Sequence, residues 1–316
     1  MFGIRAGVRY QFTLSRPLLR ALLASAAIAA GMTLAGCGGG TPVTSGRHMQ
    51  PLSERMLATL KSKNMEKESP ILMRIFKEEA EFEVWKQADS GRFALLRTYP
   101  ICRWSGELGP KIKTGDRQAP EGFYTITPGL MNPNSTQYLA INTGFPNAYD
   151  RVNGRTGAFL MIHGGCSSSG CYAMTDEQIA EIYALARESF SGGQASFQLQ
   201  AYPFRMTPVN MARHRNSPHM AFWKMINDHF EVTHLEPQVD VCEKRYIFDA
   251  ASTDSFSPAE RCPAYKVPEY IAVAVREKQR RHEIETAELI NRGTPTVPVT
   301  TGGDGGTNPT FLADAK

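Results

Sequence analysis

Ile162-His163-Gly164-Gly165-Cys166-Ser167-Ser168-Ser169-Gly170-Cys171-Tyr172-Ala173-Met174 decides how this 316-residue chain is read. It sets a histidine and two cysteines in a Gly/Ser-rich segment directly after the apolar run 158–162. A thiolate is a strong nucleophile only where a neighbour takes its proton, and the carbonyl it attacks needs N–H donors where the oxyanion will form. The segment holds the material for both nucleophile and base, with His163, Cys166 and Cys171 as the candidates. Gly170, with the small Ser168 and Ser169, leaves room for close approach, and Gly164 belongs to the same loop. The serines read as turn-formers and hydrogen-bond donors to the thiolate, because no Gly-x-Ser-x-Gly elbow is present. His163, Cys166 and Cys171 lack a second Cys/His pair at zinc spacing and a fourth donor, so neither a metal nor a cofactor is expected.

The N-terminus decides where this chemistry takes place. Arg5, Arg9, Arg16 and Arg20 precede an apolar region from Ala21 to Ala35, ending in Leu34-Ala35-Gly36-Cys37. Fifteen residues are short of the ~20 that a spanning helix needs, so residues 1–36 read as a cleaved lipoprotein signal and Cys37 as the lipidated residue. That expectation places the protein in the periplasm, lipid-anchored to a membrane. Gly38 after Cys37, rather than Asp, favours the outer membrane. The chain carries 35 Lys+Arg against 31 Asp+Glu, and the four arginines of the signal account for the difference. The mature chain is therefore neutral, which removes any argument for nucleic acid as a partner.

Beyond Cys37 five cysteines remain: Cys102, Cys166, Cys171, Cys242 and Cys262. An odd count in an oxidising compartment leaves a thiol unpaired. Cys242 and Cys262 bracket a loop rich in Asp, Ser and Pro, and a bridge there would stabilise by roughly 3 kcal/mol. Cys102 and Cys166 either pair or stay as small buried hydrophobes.

Pro51–Lys63 predicts an amphipathic helix through Leu52, Met56, Leu57 and Leu60. Ile71–Phe76, Phe82–Lys86 and Phe93–Tyr99 predict an antiparallel meander. Ala158–Ile162 is expected to be the buried strand delivering His163. Thr175–Phe190 predicts a helix capped by Thr175, with Asp176 and Glu177 in its first turn. Ala195–Tyr202 reads as a further strand, and Asn210–His214 as a polar loop entering an aromatic helix over Phe222–Ile226. Glu269–Arg292 predicts a charged helix whose Lys278–Arg281 run is a solvated face. From Gly293 onward, Thr, Pro and Gly predict a disordered tail.

The order His163-Gly164, then Ser168-x-Gly170-Cys171, resembles the signature of the L,D-transpeptidase catalytic domain (YkuD-type). Gly115-Asp116-Arg117-Gln118-Ala119-Pro120-Glu121-Gly122-Phe123-Tyr124 is a second match, similar to that family's Pro-x-Gly turn ahead of the strand beside the active site. Tyr99-Pro100-Ile101-Cys102, Gly109-Pro110-Lys111, the stretch from Asn210 through Ile226 and the Cys171-Tyr172-Ala173-Met174 ending resemble its YafK-like branch. The resemblance covers roughly residues 70–250. It implies an α+β, mainly β fold, a YkuD-type β-sandwich or barrel with peripheral helices and a C-terminal helical extension. The expected organisation is a signal over 1–36, a tether over 37–50, an N-terminal helix over 51–70, a catalytic domain over 71–250, a disulfide loop and charged helix over 251–292, and the tail over 293–316.

The resemblance also implies a reaction. His163 takes the Cys171 proton to give a thiolate and imidazolium pair. Cys171 attacks an amide at diaminopimelate in a peptidoglycan stem peptide, N–H groups near Gly170 and Cys171 hold the oxyanion, and a thioester results. Tyr172 takes a substrate-binding position. Two departures weaken generic cross-linking: Ser169 stands where many members carry His, and Tyr172-Ala173-Met174 lacks the Arg that many carry after the nucleophile. The expected enzyme is thus an amidase releasing a murein-linked outer-membrane lipoprotein, or a related L,D-transpeptidase. A 3→3 cross-linking transpeptidase and a non-catalytic murein-binding lipoprotein stay open as alternatives.

Overall fold

The computed structural model describes residues 46–226, 230–298 and 305–313. Residues 1–36 and Cys37 lie outside the described residues. Three apolar runs open the fold as β1 (Ile71–Phe76), β2 (Glu81–Gln87) and β3 (Phe93–Pro100), paired antiparallel in that order. On its other edge β1 takes β10 (Phe197–Tyr202) as a parallel neighbour, and β5 (Gly122–Ile126) closes the sheet antiparallel to β10. Every residue of β1 is buried, so this sheet is covered on both faces. Ile71, Met73 and Ile75 enter the main core, while Leu72 packs with Phe93 and Phe230.

The second sheet is short-stranded and carries the cysteine loop. Its order is β4 (Arg103–Trp104), β9 (Tyr172–Ala173), β8 (Met161–His163), β7 (Ala140–Asn142) and β6 (Met131–Asn132). β8 and β9 are parallel, and every other pair is antiparallel. Ile141, Ile162 and Tyr172 from this sheet share one core with Met73, Val84, Tyr124 and Leu199 of the first. The result is a layered, mainly β fold with mixed sheets. No closed barrel forms among the described residues, which leaves the sandwich of the two expected forms.

Helices seal the layers. α1 (Glu54–Ser62) starts where the Ser53 hydroxyl accepts from the Met56 N–H, and it buries Met56 and Leu60. It is narrower than the expected span because Pro51 and Leu52 precede the cap. α2 (Ala148–Val152) opens on a capping box between Asn147 and Asp150. α3 (Asp176–Ser191) begins with a second capping box, Thr175 with Gln178, and buries Ile179, Ile182 and Leu185 at helical spacing. Each such side chain, fully buried, contributes about 1.5–3 kcal/mol before entropy is charged.

Asn210–Arg213, read as loop, belongs instead to α4 (Pro208–Arg213), which Thr207 caps and Pro208 opens at a position where no N–H is needed. The aromatic helix follows as α5 (Met220–Met225), with Phe222 and Trp223 buried. Then come α6 (Phe230–Thr233), a hairpin of β11 (Val239–Cys242) and β12 (Arg245–Phe248), and α7 (Glu269–Asn291). A disulfide joins Cys242, the last residue of β11, to Cys262 in the segment after the hairpin. No helix among the described residues is long and apolar enough to cross a membrane.

The tail differs from the disordered expectation in its described parts. The Val297 N–H bonds to the Arg213 carbonyl, and Gly306 makes a two-way bridge with Trp104. Asn308 is buried, its side-chain amide donating to the carbonyls of Glu79 and Ala80 ahead of α8 (Pro309–Ala313). Composition predicts disorder where a segment has no apolar surface to bury, but this one pairs its backbone with β4, an edge strand whose N–H and C=O groups need partners.

Candidate active site

The parallel pairing of β8 with β9 builds the site. Ile162 lies opposite Tyr172 and His163 opposite Ala173. Side chains alternate faces along a strand, so Cys171, one residue ahead of β9, falls on the same face as His163. The Met161 N–H points at the Cys171 sulfur at 3.4 Å, and the Phe159 carbonyl lies 4.0 Å from it. Among the described residues Cys171 is the free cysteine, and it is half-buried.

His163 is buried, and its Nδ1 sits 2.6 Å from the carbonyl oxygen of Gly164. A carbonyl can only accept, so Nδ1 carries the proton and Nε2 holds the free lone pair of the neutral ring. The backbone thereby performs the orienting task that a carboxylate performs in other nucleophile–base pairs. Burial pushes the His163 pKa below its usual 6.5, with the Gly164 bond opposing that shift. Burial also pushes the Cys171 thiol above 9.0, opposed by the Met161 N–H and by the charge of Lys111. Both directions favour the uncharged forms. Burial thus works against the charged form of each group before substrate arrives.

The loop between base and nucleophile is fixed at several points. Cys166 has a left-handed backbone (φ +51°) and forms a disulfide with Cys102, which tethers the loop to the end of β3. The Met174 N–H donates to the His163 carbonyl at 2.7 Å, and the Cys166 N–H donates to the Met174 carbonyl at 3.2 Å. Asp176 in the first turn of α3 accepts the Gly165 N–H at 2.9 Å. The Ser168 hydroxyl is saturated: it donates to the Cys171 carbonyl at 2.7 Å and accepts from the Cys171 N–H at 3.0 Å and from the Ser105 hydroxyl. Gly170 needs its freedom, having φ +109°.

Two expected roles change. Tyr172 is 0% exposed and its hydroxyl donates to the Pro120 carbonyl at 2.6 Å, so it cannot touch substrate. Alternation along β9 turns it to the core because Cys171 faces outward. The Cys171 N–H, expected as an oxyanion donor, is committed to Ser168 at 3.0 Å. Ser169 is exposed. Gly164 serves through its carbonyl, and Ser168 as the brace of the nucleophile. Sequence reading did not find the Met161 N–H, Ser105, Lys111 or Asp176. Of these, Asp176 carried a signal in its place at the helix N-terminus.

Residues 77–211 match the YkuD family, described as the L,D-transpeptidase catalytic domain. Over 204 residues the chain is 42% identical to YafK of Escherichia coli K12 and of Escherichia coli O157:H7, whose designation as an L,D-transpeptidase is provisional; the match covers 64% of this chain and 82% of each relative. Among solved structures, a variant of the helical cell shape determining protein Pgp2 from Campylobacter jejuni aligns with a TM-score of 0.35 at 22% identity, over 49% of this chain and 55% of that one. Bd1075 of Bdellovibrio bacteriovorus aligns with a TM-score of 0.31 at 19% identity, over 45% of this chain and 51% of that one. The chain thus spans about half the length of the solved structures it matches. At 42% identity across 82% of YafK, with the cysteine loop inside the matched stretch, this chain belongs to the YkuD-type L,D-transpeptidase family.

Proposed function

We propose that this protein is a cysteine-dependent peptidoglycan enzyme that forms a thioester at diaminopimelate of a stem peptide and passes it to water, releasing the amine that was joined there. The observation that carries the reading is the placing of Cys171 on one face with His163, whose Nδ1 is held by Gly164 so that Nε2 is the base. As the sulfur attacks the carbonyl, the thiol proton moves to Nε2. Charge then develops on the carbonyl oxygen beside the Gly170 N–H, and the Met161 N–H favours the anionic sulfur. Collapse of the tetrahedral species breaks the C–N bond, and His163 returns its proton to the leaving amine. Water, deprotonated by the same Nε2, releases the acid and restores the thiol.

Loss of the Arg after the nucleophile supports hydrolysis over cross-linking, and a murein-linked lipoprotein is the proposed leaving partner. Cys37 is the proposed lipid attachment, holding the enzyme at the periplasmic face of the outer membrane. Murein digests incubated with the protein and read by mass spectrometry test the reaction. The expected result is cleavage at diaminopimelate, abolished in Cys171→Ala. Accumulation of diaminopimelate–diaminopimelate dimers would replace hydrolysis with cross-linking, and no change in any product together with no carbapenem labelling of Cys171 would leave a binding lipoprotein.

A further inference from the structure

Two non-glycine residues beside the nucleophile hold left-handed backbones, Phe159 at φ +57° and Arg117 at φ +55°. Such conformations are strained and persist where surrounding structure enforces them, often at functional sites. Phe159 lends its carbonyl to the Cys171 sulfur while its ring stays 76% exposed. At Arg117 the enforcement is visible. The Asp116 carboxylate accepts the N–H groups of Ile112, Lys113 and Gln118 and pairs with buried Lys111. The Gln118 side chain in turn bonds the Glu107 N–H and the Gly109 carbonyl. Arg117 lies between these two anchors, so its backbone is fixed while its side chain is exposed.

That backbone abuts the nucleophile loop. A Cβ built on Gly170 would lie 3.8 Å from the Arg117 carbonyl carbon and 3.9 Å from its Cα. Among the described residues the Arg117 guanidinium has no hydrogen bond or ion pair, in contrast to Lys111 on the same loop. A fixed backbone that abuts Gly170 and an exposed planar cation that no described residue engages offer a carboxylate receptor at the edge of the nucleophile loop. We propose that Arg117 binds a free carboxylate of the stem peptide beside the bond that Cys171 attacks, setting specificity for acyl donors that carry one. It would fill, from the loop between β4 and β5, the role of the cation missing after Cys171. The assignment rests on the proposed reaction at stem peptides. Two carboxylates lie near the scissile bond of a stem joined through diaminopimelate to a lysine side-chain amine: that of the diaminopimelate side chain and that of the lysine.

The test uses the full protein and three synthetic stem peptides whose diaminopimelate is joined to a lysine side-chain amine: one with both carboxylates free, one amidated at the diaminopimelate side chain, one amidated at the lysine carboxyl. Arg117→Ala is expected to raise KM for the free peptide on the order of 10–100-fold with kcat nearly unchanged, the loss of one charge-assisted contact. Arg117→Lys should recover part of it. The amidation that gives the wild type the KM rise of Arg117→Ala, and is then insensitive to Arg117→Ala, identifies the carboxylate. An unmoved KM in Arg117→Ala, or an equal rise in the neighbouring exposed Lys113→Ala, overturns the assignment while the reaction stands. Failure of the wild type on all three peptides sinks the proposed reaction itself, and Arg117 with it.

Discussion

His163 Nδ1 contacts the carbonyl oxygen of Gly164, the next residue in its own chain, at 2.6 Å. The tautomer of the base is therefore set by local backbone geometry rather than by a distant side chain. No single substitution of an acidic orienter can disable it, and the burial that lowers the His163 pKa keeps Nε2 free of a proton at neutral pH.

This fixes the pH dependence. Activity needs neutral His163, so kcat/KM should fall as pH drops through a pKa below the usual 6.5. His163→Ala should lose ~10²–10⁴ in acylation and lose the acid limb with it. Its residual rate should climb as pH rises toward the thiol pKa, which burial places above 9.0. Carbapenem acylation against pH measures both; superimposable profiles would remove His163 from the chemistry.

Ser168 makes a different prediction. Its hydroxyl closes both the N–H and the C=O of Cys171 and accepts from Ser105. Ser168→Ala should cost about 1–3 kcal/mol in urea unfolding, since the groups it leaves are partly buried. It should also lower the iodoacetamide reactivity of Cys171, because the nucleophile loses its brace. Ser169→Ala, at an exposed neighbour, should change neither.

The Cys102–Cys166 bridge spans 64 residues and ends inside the loop that separates base from nucleophile. The paired variant Cys102→Ser with Cys166→Ser should be destabilised by roughly 2–5 kcal/mol. At a temperature where it remains folded, kcat should drop while Cys171 stays countable as one thiol. Unchanged kcat in the folded variant would show the bridge to be a staple for the fold alone.

Much of this was legible because the relevant signals are local. β1 to β3 follow from apolar runs broken by turns, and α3 from Thr175 capping an apolar stripe. Alternation, applied strictly, would also have turned Tyr172 inward once Cys171 was placed outward. The pairing of Cys102 with Cys166 was not legible, since it depends on β4 lying beside β9. The order in the 305–313 segment was hidden for the same reason: its partners are backbone groups of Trp104 and Glu79, which leave no mark on composition. The burial that disfavours the charged forms of Cys171 and His163 was not legible either, because spacing reveals which groups meet but not how far they are desolvated.

Gly164 gives the last test, because two demands meet at one atom. A Cβ there would lie 2.5 Å from Asp176 Oδ1 and 3.0 Å from the Gln137 carbonyl oxygen. The first of these is the atom that holds the Gly165 N–H, so Gly164→Ala must push the α3 carboxylate away or shift β8. Overpacking of this kind costs typically 1–3 kcal/mol, and the shift also moves the carbonyl that sets the His163 tautomer. Stability and catalysis should then fall together. Asp176→Asn separates them: an amide oxygen can still accept the Gly165 N–H, so activity should be largely retained in that background. Adding Asp176→Ala to Gly164→Ala should relieve the overlap and return part of the stability. Thermal unfolding and carbapenem acylation of the three variants read the two effects independently. Full activity in Gly164→Ala would mean that the loop tolerates displacement of this carbonyl, and that His163 is oriented by something other than Gly164.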